Sequence, residues 1–366
     1  MLAWLERLFS SPRAAPVAAG DQPMPDAQAA LPRAAAEPAI PAAPEPDTAR
    51  AAVSFEQKDN INHNYHGWLF DNRQDDTDLH INAQEQLVLD ALDALLASQQ
   101  SGADLVRRMP GLLPQVLQSL RSEHFSGAEI ARKISHDMVL VAQVLRLANK
   151  ATLHGGKTIS SVEHAVIVLG QEGLRQLILT VALRPIIDLH SGFFTHKLAP
   201  RLWEQSERCA VACRLLAESA AVDPFDAFLA GLVQNAGLIV ALRVMDRIGV
   251  NHQLGSVLFC AGLQDKSRLL ARNIGQEWGF PEAVTVAIGD QLGNAKRRQL
   301  SPLGRLLTLG DYLSKVKMLV EHGRLSENQA DLFKGLPADA LLYYQRMDAL
   351  TANADLDPPI HANIPP

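Results

Sequence analysis

The sequence predicts an all-α fold, a multi-helix bundle with disordered N- and C-terminal tails. Between about residues 83 and 350 the apolar side chains recur with the helical period, for example at Leu174, Leu177, Ile178 and Val181. Capping-box pairs such as Ser160 and Glu163 are typical of helix starts, and no convincing strand alternation interrupts them. Residues 1–50 contain 15 alanines and 9 of the 21 prolines, a composition that buries too little apolar surface to fold.

The first ten residues fit a short amphipathic helix. The side chains that share one helical face, or lie beside it, are Leu2, Trp4, Leu5, Leu8 and Phe9. As a contact segment they would meet a partner protein or, peripherally, the inner face of a membrane. The alternative is an incidental apolar start, because so short a helix is marginal alone. Residues 11–50 are predicted to be a disordered Ala/Pro linker.

Residues 51–105 are predicted to hold a polar connector followed by a helix that begins near residue 83. We expect the connector, residues 51–82, to be extended. Its aromatic side chains Tyr65 and Trp68 are candidate contacts for a partner, and a strap packed across the body is the alternative. At the other end, residues 312–350 are predicted to be helical and residues 351–366 disordered.

The composition excludes several classes of protein. Of 366 residues, 47% are hydrophobic and 20% charged, and the formal net charge is −6, so we expect no nucleic-acid partner. Three cysteines are too few for a disulfide scaffold and fit a reducing compartment. We also expect no apolar run of the roughly 18–20 residues that span a bilayer. The sequence therefore predicts a cytoplasmic protein.

Motifs of the common catalytic chemistries are absent from the sequence. It has no phosphate-binding loop, no dinucleotide fingerprint, no GxSxG elbow and no HExxH pair. Cys209 and Cys213 lie on an apolar stripe without further metal ligands, so we interpret them as small buried hydrophobes. The pair His136–Asp137 precedes an apolar run, where Asp137 fits a helix N-cap.

Two amides lie on apolar helical stripes. Gln205 lies in line with Leu202 and Cys209, and Asn235 lies in line with Leu232 and Ile239. A buried amide without a hydrogen-bond partner costs about 1–3 kcal/mol, so both must be bonded. Two interpretations remain open: a structural network between two helices, or a vestigial site whose ligands have been replaced.

Several stretches, in order and over about two hundred residues, resemble the HDOD family, relatives of the HD-domain phosphohydrolases. The domain would span residues 106–311. The stretches are MPGLLPQVLQSL (109–120), ISHDMVLVAQVLRLANKA (134–151), ISSVEHAVIVLG (159–170), LWEQSERCA (202–210), AFLAGLVQNAGLIVAL (227–242), WGFPEAVTVAIGDQL (278–292) and LLTLGDYLSK (306–315). Each stretch alone is weak, and their order and spacing make the resemblance specific.

The resemblance also implies a degenerate metal site. Catalytic HD proteins hold divalent ions with a histidine, a His-Asp pair and a later aspartate. The positions that match are Gln205, Gln234, Asn235 and Asp311. Asp290 and Gln291 stand near two further histidines of the family. One carboxylate among three amides is too little charge for a catalytic ion, so the resemblance implies no metal, no cofactor and no enzyme activity.

Three functions follow as alternatives from this resemblance. The first is a non-catalytic bacterial regulator that binds other signalling proteins. The second is a nucleotide sensor, for example of a cyclic dinucleotide, that uses the degenerate site. Its candidate phosphate ligands, which could equally be solvated, are Arg175, Arg184, Arg201 and Arg208. The third, a metal-dependent phosphohydrolase, has the least support because its ligands are missing.

Overall fold

The fold is built from α-helices. The computed structural model describes residues 52–71, 80–98, 113–122, 141–142, 144–145, 149, 159–187, 192–250, 254–292, 300–329 and 331–351. Their helices are α1 (Phe55–Leu69), α2 (Ala83–Ala97), α3 (Leu113–Arg121), α4 (Val162–Ile187), α5 (Phe193–Leu216), α6 (Pro224–Val233), α7 (Ala236–Ile248), α8 (Val257–Glu277), α9 (Glu282–Gly289), α10 (Pro302–Glu321) and α11 (Ala340–Thr351). These ranges contain no strand, which confirms the predicted all-α class.

Some predictions concern residues for which the structure gives no description. They are the amphipathic start with Leu2, Trp4, Leu5, Leu8 and Phe9, the linker over residues 11–50, the N-cap Asp137 and the tail after residue 351. For these segments the predictions from the sequence stand as they are.

Helix α5 is the central element, and it contacts α4, α6, α7, α10 and α11. Two glycines allow close approach to it. A Cβ atom on Gly231 of α6 would lie 2.5 Å from the Cα of Ala210, and one on Gly310 of α10 would lie 2.5 Å from Sγ of Cys213. Because Gly231 shortly precedes Asn235 and Gly310 directly precedes Asp311, these contacts carry both polar side chains toward α5.

The two cysteines of α5 are part of the core. Cys209 and Cys213 are fully buried, and their sulfur atoms lie 3.9 Å apart. Burial, with Cys213 as a second cause, raises the pKa of the Cys209 thiol well above its ordinary value. The complete burial of both side chains confirms their interpretation as small hydrophobes.

The extended connector expected over residues 51–82 is wrong for residues 55–69, which form α1. Its start is a capping box, in which Gln57 N donates to Ser54 Oγ (3.1 Å) and Ser54 N donates to Gln57 Oε1 (2.9 Å). The buried apolar side chains of α1 are Ile61, Tyr65, Trp68 and Leu69. These residues have helical spacing, which buried polar residues between them obscure in the sequence.

Helix α1 is fastened to the body through Trp68. The guanidinium of Arg201 lies 4.8 Å from the centre of the Trp68 ring, and its Nη1 donates to the carbonyls of Trp68 and Leu69, each at 3.3 Å. The ring of His322 packs on the same indole at 4.6 Å. Tyr65 and Trp68 are only 2% and 4% exposed. They are thus not surface contacts for a partner, and α1 is the packed strap of the alternative interpretation.

The expectation that no apolar run is long enough to span a bilayer is wrong for one segment. Pro224–Ile248, 25 residues long, has the length and composition to cross a membrane. In the structure it is two core helices, α6 and α7, with a turn at Gln234 and Asn235 between them. Inside the body, 89% of its most apolar window is buried, as in a core helix of a soluble protein.

Candidate functional site

Gln205 is the centre of a buried hydrogen-bond network. Its side chain is fully buried on α5, and its Nε2 donates to Asp311 Oδ1 and to Ser314 Oγ, each at 2.9 Å. Its Oε1 accepts from Nδ2 of Asn235 at 2.5 Å. The network thus joins α5, α10 and the turn between α6 and α7. Both amides predicted to be hydrogen-bonded are bonded to each other.

Asn235 makes further bonds to α5. Its Nδ2 also donates to Ser206 Oγ at 3.0 Å and approaches the carbonyl of Leu202 at 3.5 Å. The neighbouring residue, Gln234, is oriented differently. Its Nε2 is buried and has no hydrogen-bond partner among the described residues, and Gln234 lines the cavity beside the network. The structure therefore brings the four predicted residues together, three in the network and Gln234 on the cavity wall.

Lys315 completes the network, and neither it nor Asn62 was singled out in the sequence. The ammonium of Lys315 donates to Asp311 Oδ2 at 2.7 Å and to Asn62 Oδ1 of α1 at 2.8 Å. It also lies 5.3 Å from the centre of the Tyr65 ring. Both oxygens of Asp311 are therefore engaged, one by Gln205 and one by Lys315. The signal in the sequence was the spacing of Asp311 and Lys315, one helical turn apart.

The charges at the network keep Asp311 ionised. Burial raises the pKa of a carboxylic acid, but the positive charges of Lys315 and Arg268 outweigh it and hold the pKa of Asp311 below its ordinary value. Burial lowers the pKa of Lys315, which Asp311 opposes. The pair is thus a buried ion pair supported by the hydrogen bonds of Gln205 and Asn62.

Asp290 and Gln291, which stand near two further histidines of the family, make structural hydrogen bonds. Asp290 Oδ2 accepts from the backbone N of Ser301 (2.8 Å) and from its Oγ (2.6 Å), which holds the start of α10. Gln291 is buried, donates to the carbonyl of Gly304 (2.9 Å) and accepts from Thr308 Oγ1 (3.0 Å). Both side chains hold the start of α10 against the end of α9.

A small cavity lies beside the network. Its volume is about 30 Å³, and α1, α7, α8, α9 and α10 all contribute to its wall. The residues on the wall that matter here are Tyr65, His66, Gln234, Ser267, Arg268 and Lys315. A single water needs about 10–15 Å³ by the same measure, so the cavity has room for one or two.

The residues present do not fit a catalytic divalent ion. Asp311 has no oxygen without a donor, and Gln205 Oε1 is bound to Asn235. The one imidazole on the cavity wall is that of His66. Burial, and then the charges of Lys315 and Arg268, lower its pKa to about 3, and those same charges repel a cation. Among the described residues no group of three or more His, Cys, Asp or Glu side chains could hold a metal.

Of the arginines considered as phosphate ligands, Arg175, Arg201 and Arg208 do not line this cavity. Arg201 binds the carbonyls at the end of α1, and buried Arg208 pairs at 2.6 Å with Glu204 of its own helix and with Glu321 of α10. Arg175 pairs with a glutamate one turn away on α4 at 3.5 Å. The side chain of Arg184 lies outside the described part of the chain. Arg201 and Arg208 thus join helices, whereas Arg175 lines a separate pocket of about 470 Å³ to which α4, α5, α6 and α11 contribute.

Comparison with known proteins gives matches in sequence and in fold. The HDOD domain pattern matches residues 106–291. An uncharacterized protein of Treponema pallidum (strain Nichols) is 23% identical over 204 residues, which is 52% of this chain and 38% of that protein. The chain thus spans well under half of this relative's length.

Comparison with solved structures gives the following three matches. A candidate phosphohydrolase from Shewanella amazonensis SB2B has a TM-score of 0.52 at 19% identity and covers 73% of this chain and 98% of its own. An HDOD domain protein of unknown function from Geobacter sulfurreducens has a TM-score of 0.49 at 18% identity, with coverage of 73% and 99%. A candidate signal transduction protein from Marinobacter aquaeolei VT8 has a TM-score of 0.47 at 22% identity, with coverage of 84% and 66%.

The domain match and the packing describe the same region. The matched residues 106–291 include Gln205, Gln234 and Asn235, and they extend over slightly more than half of the 366 residues. Helix α1 precedes this match, and Asp311 and Lys315 follow it. The chain belongs to the HDOD domain family.

Proposed function

We propose that the chain is a non-catalytic regulatory protein of bacterial signal transduction that acts through contacts with other proteins. The observation that carries the proposal is the state of Asp311. This aspartate is the one acidic residue at the four positions that match the metal ligands of catalytic relatives. Its two oxygens are bound by Gln205 and Lys315, both within the fold.

Chemical reasoning supports the absence of hydrolysis. In metal-dependent hydrolysis the ion generates a hydroxide near pH 7 and neutralises the phosphate oxygens. Here the positive charge next to Asp311 is the ammonium of Lys315, which provides neither a bound water of low pKa nor open coordination positions. The network of Gln205 and Asn235 holds three helices together. Its role in the proposal is to stabilise a helical body that other proteins bind.

At the degenerate site, the geometry gives little support to the nucleotide sensor. Pockets for small organic ligands have volumes of about 300–1,000 Å³, whereas the cavity beside the degenerate site has about 30 Å³. Helix α1 lies over it, with Asn62, Tyr65 and His66 on the inner side. A nucleotide would have to displace this helix, so we favour regulation through protein contacts.

A turnover assay tests the catalytic part of the proposal. The full chain is incubated with Mn²⁺, Fe²⁺ or Mg²⁺ and with cyclic dinucleotides, nucleoside phosphates or p-nitrophenyl phosphate. Asp311→Asn is the comparison variant, because it removes the remaining acidic ligand, and circular dichroism first verifies that it is folded. We expect no turnover above that of this variant. Metal-dependent turnover that Asp311→Asn abolishes would contradict the proposal.

Binding measurements test the regulatory part. Cyclic dinucleotide titrated into the full chain should give no saturable heat, whereas saturable binding that Gln234→Ala weakens would favour the sensor. Affinity capture from the source cells, followed by reconstitution with the purified partner, should give a stoichiometric complex. That complex should form equally well with Gln234→Ala. Failure of every captured protein to bind the purified chain would contradict regulation by protein contacts.

A further inference from the structure

The cavity beside the network has an excess of positive charge. Three cationic side chains interact with Asp311: Lys315 by a direct ion pair, and Arg268 and Lys58 through space. One further carboxylate, that of exposed Asp265, acts on Arg268 and Lys58. Two carboxylates thus act on these three cations, and of the two only Asp311 is buried with them. Tyr65 on the cavity wall is also acted on by Glu204, Arg201 and Arg208.

The positive side chains repel one another electrostatically. Burial and then the charge of Arg268 lower the pKa of Lys58 to about 8, and burial lowers the pKa of Arg268. Each cation has polar neighbours: Lys58 donates to Gln291 Oε1 at 3.3 Å, and Arg268 donates to the Gln291 carbonyl. These neutral acceptors satisfy hydrogen bonds without compensating charge. An excess charge in a poorly solvated site is unfavourable unless a counterion joins it.

Three residues on the same wall each carry a buried polar atom that has no hydrogen-bond partner within the described part of the chain. These atoms are the hydroxyl of Ser267, the hydroxyl of Tyr65 and Nε2 of Gln234. Ser267 is 5% exposed and Tyr65 is 2% exposed, so solvent outside the cavity does not satisfy them. All three groups can donate a hydrogen bond. Buried polar groups in folded proteins have partners, and three donors around one cavity indicate a shared acceptor.

We propose that this cavity binds a small inorganic anion of chloride size. Ser267 Oγ, Tyr65 OH and Gln234 Nε2 donate hydrogen bonds to it, and the cations of Arg268, Lys315 and Lys58 balance its charge. The volume of about 30 Å³ admits a monatomic anion and not a nucleotide. The site is distinct in kind from the metal site of catalytic relatives, because it takes a ligand of opposite charge. The proposal is independent of the regulatory role, since anion binding requires neither turnover nor a partner.

The test measures the melting temperature of the full chain as a function of halide concentration. Sodium chloride or bromide replaces sodium gluconate at constant ionic strength, so that general screening is unchanged. We expect the melting temperature to rise by about 2–4 °C per tenfold increase in halide above the dissociation constant. Inorganic phosphate is the comparison anion. A halide response that is absent, or smaller than that to phosphate, would overturn the proposal.

Variants locate the response in the cavity. Arg268→Gln removes a positive charge, and Ser267→Ala removes one donor with little change in volume. Each should weaken the affinity for halide, obtained from the halide dependence of the melting temperature, at least about tenfold. Lys334→Gln is the matched control, since the side chain of Lys334 is 79% exposed, and it should retain the full response. An unchanged response in the two variants would overturn the proposal. The readout is the dependence on halide, so it is independent of any change in basal stability.

A crystallographic measurement complements the melting curves. Crystals of the full chain grown or soaked in bromide should show an anomalous peak within hydrogen-bonding distance of Ser267 Oγ, and Ser267→Ala should weaken that peak. An adventitious ion only, seen as bromide on the surface with none in the cavity, would contradict the site.

Discussion

The ammonium of Lys315 lies 2.7 Å from Oδ2 of Asp311, one turn away on the same helix, and neutralises the one acidic residue that matches the family's metal ligands. The opposite oxygen of Asp311 accepts from Gln205. In a site with divalent ions the carboxylate charge would be balanced by metal. Here Lys315 balances that charge within the chain, so Asp311 needs no bound cation as its counter-charge.

The ion pair of Asp311 and Lys315 leads to a prediction about stability. Asp311→Asn should lower the free energy of unfolding by about 3–5 kcal/mol, because it leaves Lys315 buried without its counter-charge. The double variant Asp311→Asn/Lys315→Met should be at least about 1 kcal/mol more stable than Asp311→Asn alone. Chemical denaturation measures both. The matched control Asp331→Asn, whose side chain is 89% exposed, should change stability by less than about 0.5 kcal/mol. A double variant that is no more stable than Asp311→Asn alone would contradict a coupled ion pair.

The amide network predicts a large effect at Gln205. Gln205→Ala removes a fully buried side chain and leaves Asn235 and Asp311 each without one partner, so we expect a loss of about 2–4 kcal/mol in unfolding free energy. Gln276→Ala, on an exposed turn of α8, is the matched control and should cost less than about 0.5 kcal/mol. Denaturant titration measures both losses in unfolding free energy, and the dependence of that free energy on denaturant concentration should have the same slope in the two variants. A loss at Gln205 as small as that of the control would contradict the network.

The attachment of α1 predicts a local effect at Arg201. Arg201→Ala removes the cation above the Trp68 ring and the donor to two carbonyls at the end of α1. Hydrogen exchange in residues 55–69 should accelerate about tenfold or more, since an opening free energy lower by about 1.4 kcal/mol gives that factor. Exchange in α6 and α7 should change little. Arg305→Ala, at the start of α10, is a control that should leave exchange in α1 unchanged. Equal acceleration in α1 and α7 would indicate general loss of stability instead.

His66 predicts a dependence of stability on acid. Burial, and then the charges of Lys315 and Arg268, lower its pKa from 6.5 to about 3 in the folded state. Between these values the unfolded chain binds a proton that the folded chain does not. The stabilisation that neutral His66 contributes to the unfolding free energy is therefore fully present above pH 6.5. It is lost as the pH falls toward 3, by up to about 1.4 kcal/mol per pH unit.

The measurement compares unfolding free energies at pH 6.5 and at more acidic values. His66→Gln should flatten the decline, because it removes the titrating group. His63→Gln, at an exposed position on the same helix, should retain the slope of the natural protein. A slope that His66→Gln leaves unchanged would show that His66 is not buried in its neutral form.

The sequence predicted the network better than it predicted what covers the network. Gln205 and Asn235 could be identified because an amide on an apolar stripe needs a partner, and the structure pairs them directly. Asp311 could be placed with them only through the family resemblance, because 106 positions of sequence separate it from Gln205. The approach of the helices depends on Gly231 and Gly310, whose role appears only once the packing is known.

Helix α1 was missed for a physical reason. Its inner face contacts both the apolar core and the degenerate site. Polar Asn62 and His66 are therefore buried beside Ile61 and Tyr65. A search for apolar periodicity counts such residues as solvent-facing. Lys315 was missed because a lysine is rarely buried, and its partner Asn62 lies 253 positions away.

We propose that contacts within the fold occupy the residues that match the family's metal ligands, so that no transition metal binds there. Elemental mass spectrometry on the full chain, purified without chelator and without an affinity metal, tests it most directly. The account predicts transition metal far below one ion per chain, and the same low value after incubation with Mn²⁺ or Fe²⁺ and gel filtration. Close to one ion per chain, lost in Asp311→Asn, would contradict the account and make a metal-dependent hydrolase the leading hypothesis.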